Sequence, residues 1–292
     1  MPEKRNVAFI VLFSAAVLLT FLFFLFYFLM AFYLGDEELG IGEAVAVVDI
    51  HGEIRYDLSK IRELESYRDN KRVKAVLLHI NSPGGGVAAS QEIYHAVEKL
   101  RAKKPVVAFL AEIAASGGYY VACAADSVIS LEGTLTGSIG VIAAFLNTEE
   151  LFHKIGLGIT VVKSGKYKDV GSPHREITEE ERRYLETLLD RAYGQFLRAV
   201  SKGRGMELDE VKELAEGRLY SGEEAEEIGL VDRLGTYEEA IAVAASMGGI
   251  KNKPKIIRKR KRKHFFRSIF GEIGARIPVE AENRITLKYI IP

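Results

Sequence analysis

Residues 114–120 read AASGGYY and follow an apolar stretch, residues 105–110, that has the composition of a buried strand. The sequence predicts a strand, a sharp turn at Ser116 and a helix that begins at the glycines. A serine in such a turn lies beside free backbone N–H groups at the positive end of a helix dipole, which suits a nucleophile. The alternative is that Ser116 is an N-cap and that the glycines only allow close packing.

A second glycine-rich turn lies upstream. Residues 80–86 read INSPGGG, close a predicted strand over residues 73–79 and precede a predicted helix over residues 87–100. Glycines at a strand-to-helix turn leave backbone N–H groups exposed to an anion. This turn is therefore predicted to complete an oxyanion hole.

Two downstream stretches offer an amine and a hydroxyl. Residues 163–169 read KSGKYKD and follow a predicted strand over residues 159–162. Their lysines are candidates for a general base. Residues 134–140 read TLTGSIG, a small-residue loop with a hydroxyl that could orient such an amine.

In this order and spacing, the four stretches resemble the signal peptide peptidase A family over residues 44–245. These are serine proteases of the ClpP/crotonase-like superfold that use a Ser/Lys dyad. The resemblance implies that Ser116 is the nucleophile and Lys168 the general base. It further implies that Ser138 hydrogen-bonds the lysine, and that the N–H groups of Gly85 and Gly117 hold the oxyanion.

The same resemblance implies peptide hydrolysis through an acyl-enzyme, without a cofactor. Its expected substrates are membrane-embedded peptides, particularly signal peptides left after cleavage, and its subunits are expected to form a ring-like homo-oligomer. One local departure is Glu112, where family members often carry small or apolar residues. That change bears on a subsite and leaves the dyad untouched.

Three other functions stay open. The nearest is a membrane protease of the stomatin-operon type, which also uses a Ser/Lys dyad on this fold. The others are a crotonase-like enzyme acting on acyl thioesters and a catalytically silent membrane scaffold. The presence of Ser116, Lys168 and Ser138 together speaks against both of these.

The histidines give no support to a different chemistry. None of the six lies in a motif that pairs with Ser116, which disfavours a Ser/His/Asp triad. No two histidines have ligand spacing on one predicted element, so the sequence predicts no metal site.

The alternation of strands and helices from Glu43 onward predicts an α/β fold with a ClpP/crotonase-like repeated β-α core around a parallel sheet. Short sequences of the Ser/Thr-x-x-Glu type predict helix starts at Thr178, Ser221 and Thr236. A lone cysteine, Cys123, excludes an intrachain disulfide.

The N-terminal part is strongly apolar. Residues 7–34 are almost uninterrupted apolar sequence, whereas a bilayer-spanning helix needs about 20 such residues. They are predicted to be a transmembrane helix that anchors the chain, with a cleaved signal peptide as the alternative. Lys4 and Arg5 precede the span and acidic residues follow it, so residues 1–6 are expected in the cytoplasm and the catalytic domain outside the cell membrane.

After a linker at residues 35–43, the expected protease domain spans residues 44–250 and a basic tail spans residues 251–292. The tail holds thirteen Lys and Arg against three acids, although the whole chain has no net charge. Apolar residues at helical spacing follow its basic run, which favours an amphipathic helix on membrane lipid. A solvated disordered tail is the alternative, and nucleic acid is not expected as a partner outside the cytoplasm.

Overall fold

The chain is described by a computed structural model that covers residues 2–34, 42–259 and 288–290. The helices are α1 (Pro2–Leu34), α2 (Leu58–Asp69), α3 (Val87–Arg101), α4 (Gly117–Ala122), α5 (Glu149–Lys154), α6 (Glu179–Arg204), α7 (Leu208–Leu214), α8 (Gly222–Glu227) and α9 (Tyr237–Met247). The strands are β1 (Ala44–His51), β2 (Val73–Ser82), β3 (Gly84–Gly86), β4 (Val106–Ala115), β5 (Ser127–Ser130), β6 (Leu135–Gly137), β7 (Leu219–Tyr220), β8 (Arg233–Leu234), β9 (Lys255–Arg258) and β10 (Lys288–Ile290).

One large sheet organises the part of the chain that follows residue 42. Its strand order is β7-β6-β4-β2-β1-β9, and all of its neighbours are parallel except β6 and β7. The long strand β4 pairs with β5 over its first half and with β6 over its second half, and β8 extends β5. The predicted α/β class with a parallel sheet is confirmed.

Both faces of this sheet are covered. β1, β2 and β4 are therefore apolar on both sides, as expected for a buried parallel sheet. One face packs against α2, α3, α4 and α6, where Phe196 is fully buried. The other face packs against α9 through Ala240 and Ala244. Burying a side chain as large as that of Phe196 contributes about 1.5–3 kcal/mol.

The predicted helix starts are confirmed. Thr178, Ser221 and Thr236 each accept a hydrogen bond from the backbone of a glutamate three residues later, which bonds back in return. The predicted strand at residues 159–162 is wrong. This segment has no helix or strand, and Val162 is 96% exposed. No strand in the described part of the chain pairs with it, so its backbone has no ladder to join.

Residues 1–42 form a unit of their own, separate from residues 43–292. Across the described residues, no helix has both the length and the apolarity to cross a membrane. The predicted transmembrane helix is therefore not supported, and the predicted single-pass localisation is corrected.

The expected amphipathic helix of the tail falls mostly on residues 260–287, which lie outside the described residues. The described tail residues form strands instead. β9 pairs in parallel with β1, and β10 pairs antiparallel with β3. Both strands therefore pair with strands of the unit that holds the large sheet.

Candidate active site

Ser116 lies at the junction between β4 and α4, in a strained turn. Its φ is 52° and its ψ is −116°, and its N–H donates to the carbonyl oxygen of Gly137 over 2.8 Å. A non-glycine residue held in such a region costs about 1–3 kcal/mol. The hydroxyl caps no backbone N–H of α4, which removes the N-cap alternative. Since the side chain is 1% exposed, the turn holds a buried hydroxyl without a capping role.

Ser138 lies in a matching turn at the end of β6. Its φ is 49°, its N–H donates to the carbonyl oxygen of Arg218 over 2.7 Å, and it is 9% exposed. Within residues 2–34, 42–259 and 288–290, Ser116 and Ser138 are the two non-glycine residues with positive φ. The pairing of β6 with β4 therefore brings together two strained serines that are far apart in the sequence.

Both serines line one cavity of about 490 Å³. Its far wall is a face of α6, formed by Glu186, Leu189 and Asp190 together with Tyr193. None of these four residues was identified as a site residue in the sequence analysis. Their spacing of three and four residues was the available signal, because it places them on one side of the helix. The cavity therefore combines hydroxyls, carboxylates and an apolar floor.

Gly85 lies in β3, in close contact with the backbone of Ile54. A Cβ atom at Gly85 would lie 2.1 Å from the carbonyl oxygen of Ile54, so no larger residue fits. Ile54 donates to Gly84 O over 2.7 Å and accepts from Gly86 N over 2.9 Å. Because successive backbone groups of a strand point to opposite edges, the N–H and C=O of Gly85 face away from Ile54.

The edge of β3 that faces away from Ile54 is occupied by β10, a strand of the tail. β10 runs antiparallel to β3, with Tyr289 opposite Gly85. The predicted oxyanion glycine therefore lies in a strand that already accepts an extended segment. Gly118 joins this turn to the serine turn, since a Cβ atom there would lie 2.8 Å from Ser82 O.

Lys168 is not brought to Ser116 within the chain. Its side chain is exposed and lines no part of the cavity. Its backbone N–H donates to the carbonyl oxygen of Gly165 over 3.1 Å, but its amine has no hydrogen bond or ion pair to any residue that the structure describes. The nearby lysines differ, because Lys163 pairs with Asp169 over 2.5 Å and Lys166 pairs with Glu180. The hydrogen bond that Lys166 donates to the carboxylate of Glu180 raises the pKa of Lys166, which makes that amine a poorer base.

An ionic network holds the segment that carries Lys168. Arg175 bonds Asp169 over 2.9 Å and Glu181 over 2.5 Å. Arg175 lowers the pKa of Glu181 to about 2, and it holds the pKa of Asp169 well below its usual range. Glu181 is also the third residue of the capping box of α6. The lysine segment is therefore fastened to the first turn of α6.

None of the described histidines lines the cavity that holds Ser116. His95 pairs with Glu98 over 2.9 Å, and the ring of His174 stacks on Phe152 at 5.1 Å. Asp49, His51 and His79 converge on the sheet face that α9 covers. They form the single group of potential metal ligands found among the described residues.

Comparison with known proteins supports a peptidase. The model of Peptidase family S49 matches residues 98–251, and that of Clp protease matches residues 46–136. A protease-named protein of Synechocystis sp. is 43% identical over 208 residues, which cover 70% of this chain and 75% of the relative. An Enterococcus faecium protein named as a signal peptide peptidase is 42% identical over 62% of this chain and 53% of its own length. The Arabidopsis thaliana chloroplastic serine protease SPPA is 36% identical over 67% of this chain and 29% of its own length.

Proposed function

This chain belongs to peptidase family S49 and is a serine peptidase, and we propose that it cleaves peptides through an acyl-enzyme formed on Ser116. The observation that carries this proposal is the geometry of Ser116. A buried serine in a strained strand-to-helix turn, with no capping hydrogen bond, has no structural reason to be there. Strain of this kind is retained where it orients a reacting group.

The proposed reaction has two steps. In the first, Ser116 Oγ attacks the scissile carbonyl, its proton passes to the base, and the C–N bond breaks as that proton goes to the leaving amine. The N–H groups of Gly85 and Gly117 hold the oxyanion during this step. In the second step, the base takes a proton from a water molecule whose oxygen attacks the ester carbonyl. The bond between that carbon and Ser116 Oγ then breaks, the acid is released, and the base returns the proton to Ser116 Oγ.

We assign the base to Lys168, and Ser138 orients its amine. The ionic partners of Lys163 and Lys166 support this choice, because a base must be neutral and free to accept a proton. Lys168 has an exposed side chain here, so the reaction needs it to be delivered to the cavity. Two routes are available, namely a movement of the loop around residues 163–176 or delivery from a neighbouring subunit.

Mixing inactive subunits distinguishes the two routes. Ser116→Ala and Lys168→Ala chains are purified apart and combined after dissociation. If a neighbour supplies the lysine, mixed assemblies contain complete sites and regain activity. If the loop moves within one chain, the mixture stays as inactive as its components.

A homo-oligomer also suits the exposed surface. Leu146 is 75% exposed and Val162 is 96% exposed, on a segment without regular pairing. A second copy would cover these side chains, and light scattering measures the resulting mass. Val162→Asp should weaken that association, whereas Thr187→Asp on the exposed side of α6 should not.

The proposed substrates are residual signal peptides and other membrane-associated peptides. The name of the Enterococcus relative supports this choice. So does β10, because β3 accepts an extended backbone at the proposed oxyanion glycine. A signal peptide and a folded membrane-protein tail, tested side by side, separate this function from a stomatin-operon-type protease.

Active-site labelling tests the proposal as a whole. A fluorophosphonate should modify Ser116 in the intact chain, located by peptide mapping, and Ser116→Ala should remain unlabelled. Labelling at another serine, or none at all in a chain that cleaves peptides, would refute the assignment. A crotonase-like thioester enzyme or a silent scaffold would show neither the label nor the cleavage.

A further inference from the structure

Three potential ligands meet at the carboxyl ends of β1 and β2. Asp49 and His51 are two residues apart on β1, so their side chains project from the same face of the sheet. The parallel register places His79 of β2 directly beside Asp49. Asp49 Oδ1 lies 3.0 Å from His79 Nδ1 and 3.5 Å from His51 Nε2, and the two ring nitrogens are 3.2 Å apart.

These three distances match a coordination sphere. Zinc binds imidazole nitrogen and carboxylate oxygen at about 2.0–2.2 Å, so neighbouring ligand atoms of a tetrahedral site lie about 3.3 Å apart. The observed triangle has edges of 3.0–3.5 Å. Two imidazoles with one carboxylate suit zinc and similar transition metals, whereas Ca²⁺ and Mg²⁺ prefer oxygen ligands.

The two contacts of His79 Nδ1 do not fit one tautomer. His79 Nδ1 faces the carboxylate of Asp49, which only accepts, and lies 3.1 Å from Nη2 of Arg258, which only donates. A ring nitrogen is either a donor or an acceptor, so each tautomer leaves one of the two contacts unsatisfied. A metal ion would use the lone pair of His79 Nδ1 and the charge of Asp49 together.

Arg258 occupies the position of a cation. Its Nε donates to Asp49 Oδ2 over 2.7 Å, and its Nη2 contacts both Asp49 Oδ1 and His79. The guanidinium therefore neutralises the carboxylate and would compete with a metal for it. The side chain of His51 is 43% exposed, so an ion can reach the cluster from solvent.

Two aromatic rings fix the orientation of His79, the half-buried histidine of the cluster. His79 stacks on Phe109 at 5.9 Å and meets Tyr237 edge-on at 5.2 Å. Both rings pack on the sheet face that α9 covers, whereas α4, which follows Ser116, packs on the opposite face. The cluster is thus independent of the proposed peptidase chemistry.

We propose that Asp49, His51 and His79 bind one divalent transition-metal ion of the zinc class, and that Arg258 is displaced from Asp49 when it binds. Metal binding would then break the side-chain tie between β1 and the end of β9. The site would link metal binding to the chain segment that continues into the tail.

Cobalt is a direct probe of this site. The full chain, carrying Ser116→Ala and no histidine tag, is titrated with Co²⁺ by visible absorption and with Zn²⁺ by calorimetry. One ion per chain is expected, with imidazole-nitrogen coordination in the spectrum. His51→Ala and Asp49→Asn should each weaken binding at least about tenfold, by loss of a ligand. His51 is exposed, so its removal should leave the thermal unfolding midpoint nearly unchanged.

Two further variants sharpen the test. Arg258→Gln should tighten binding, because it removes the competing cation but keeps a side chain of similar length. His95→Ala, which alters an exposed histidine outside the cluster, should leave the affinity unchanged. Equal affinity in the starting chain and in His51→Ala would overturn the site, and weaker binding in Arg258→Gln would overturn the competition.

Discussion

The N–H of Ser116 donates to the carbonyl oxygen of Gly137 over 2.8 Å, and this bond ties the two serine turns together. Gly137 precedes Ser138, and a Cβ atom at Gly137 would lie 2.6 Å from the ring of Tyr220. The turn that carries the second serine is therefore confined between β4 and β7. The relative position of the two hydroxyls is set by the sheet.

Comparing two replacements of Ser116 should distinguish the strain of its backbone from the proposed role of its hydroxyl. Ser116→Ala should reduce peptidase turnover at least about a thousandfold, because the nucleophile is lost. Ser116→Gly should be equally inactive yet raise the free energy of unfolding by about 1 kcal/mol, because glycine relieves the positive φ at some entropic cost. Alanine keeps a Cβ atom and should show no such gain. Chemical denaturation checks this, and a gain for alanine equal to that for glycine would contradict the strain argument.

The choice between two neighbouring lysines is testable. Lys168→Ala should be inactive, whereas Lys166→Ala should retain most activity, since Lys166 is already paired with Glu180. In the unmodified chain, kcat/KM should climb above pH 7, as expected for a base that acts only when neutral. A histidine base would place the rise near pH 6.5. Full activity in Lys168→Ala would rule out the assignment.

The Arg175 network should make the protein sensitive to acid. Because the pKa of Glu181 is lowered to about 2, its stabilising effect is complete above the ordinary value near 4.5 and is lost as the pH falls through about 2. The unfolding midpoint of Arg175→Gln should therefore lie below that of the unmodified chain at pH 7, and the difference should shrink between pH 5 and pH 2.

Arg182→Gln is the matched control for this experiment. Arg182 is exposed, and its charged partner Glu179 lies 3.7 Å away, a kind of pair worth about 0–1 kcal/mol. Its midpoint should follow that of the unmodified chain at every pH. If the difference for Arg175→Gln were as large at pH 2 as at pH 7, Arg175 would stabilise the fold by something other than its ion pairs with the two carboxylates.

Removing β10 should help substrates to bind. Deletion of residues 288–292 opens the edge of β3, so KM for an extended peptide should fall while kcat stays nearly constant. A point change, Tyr289→Pro, should act in the same direction because proline cannot donate to a ladder. Steady-state kinetics on one peptide with the three chains decides the matter. An unchanged KM in both variants would mean that substrates bind elsewhere.

The sequence identified the parts of the site that depend on local structure. Ser116 follows the long strand β4 and Ser138 follows the short strand β6, and the turn residues around them reveal where each strand ends. Parallel pairing then brings the two together, as the α/β pattern implied. The predicted strand at residues 159–162 failed for the opposite reason. Its apolar residues suggested burial, but no described neighbour covers Val162, so the pattern alone could not distinguish a core strand from an exposed segment.

The histidine cluster shows another limit of the sequence. Spacing along one element was the criterion for a metal site, and His51 and His79 lie on different strands. Their contact depends on the register between β1 and β2, which places His79 beside Asp49 and therefore diagonally next to His51. The sequence could not predict the position of the Lys168 side chain either. Its motif supports the proposal that Lys168 is the base, but the folded chain leaves its side chain exposed.

The Arg175 network has a consequence for ionic strength. Ser116 is held by backbone bonds inside the sheet, whereas the segment around Lys168 is held by ion pairs among Arg175, Asp169 and Glu181, whose side chains are 28%, 11% and 4% exposed. At 1 M salt the Debye length falls to about 3 Å, which weakens such charge pairs much more than buried backbone bonds. Concentrated salt should therefore loosen one half of the proposed dyad and leave the other half in place.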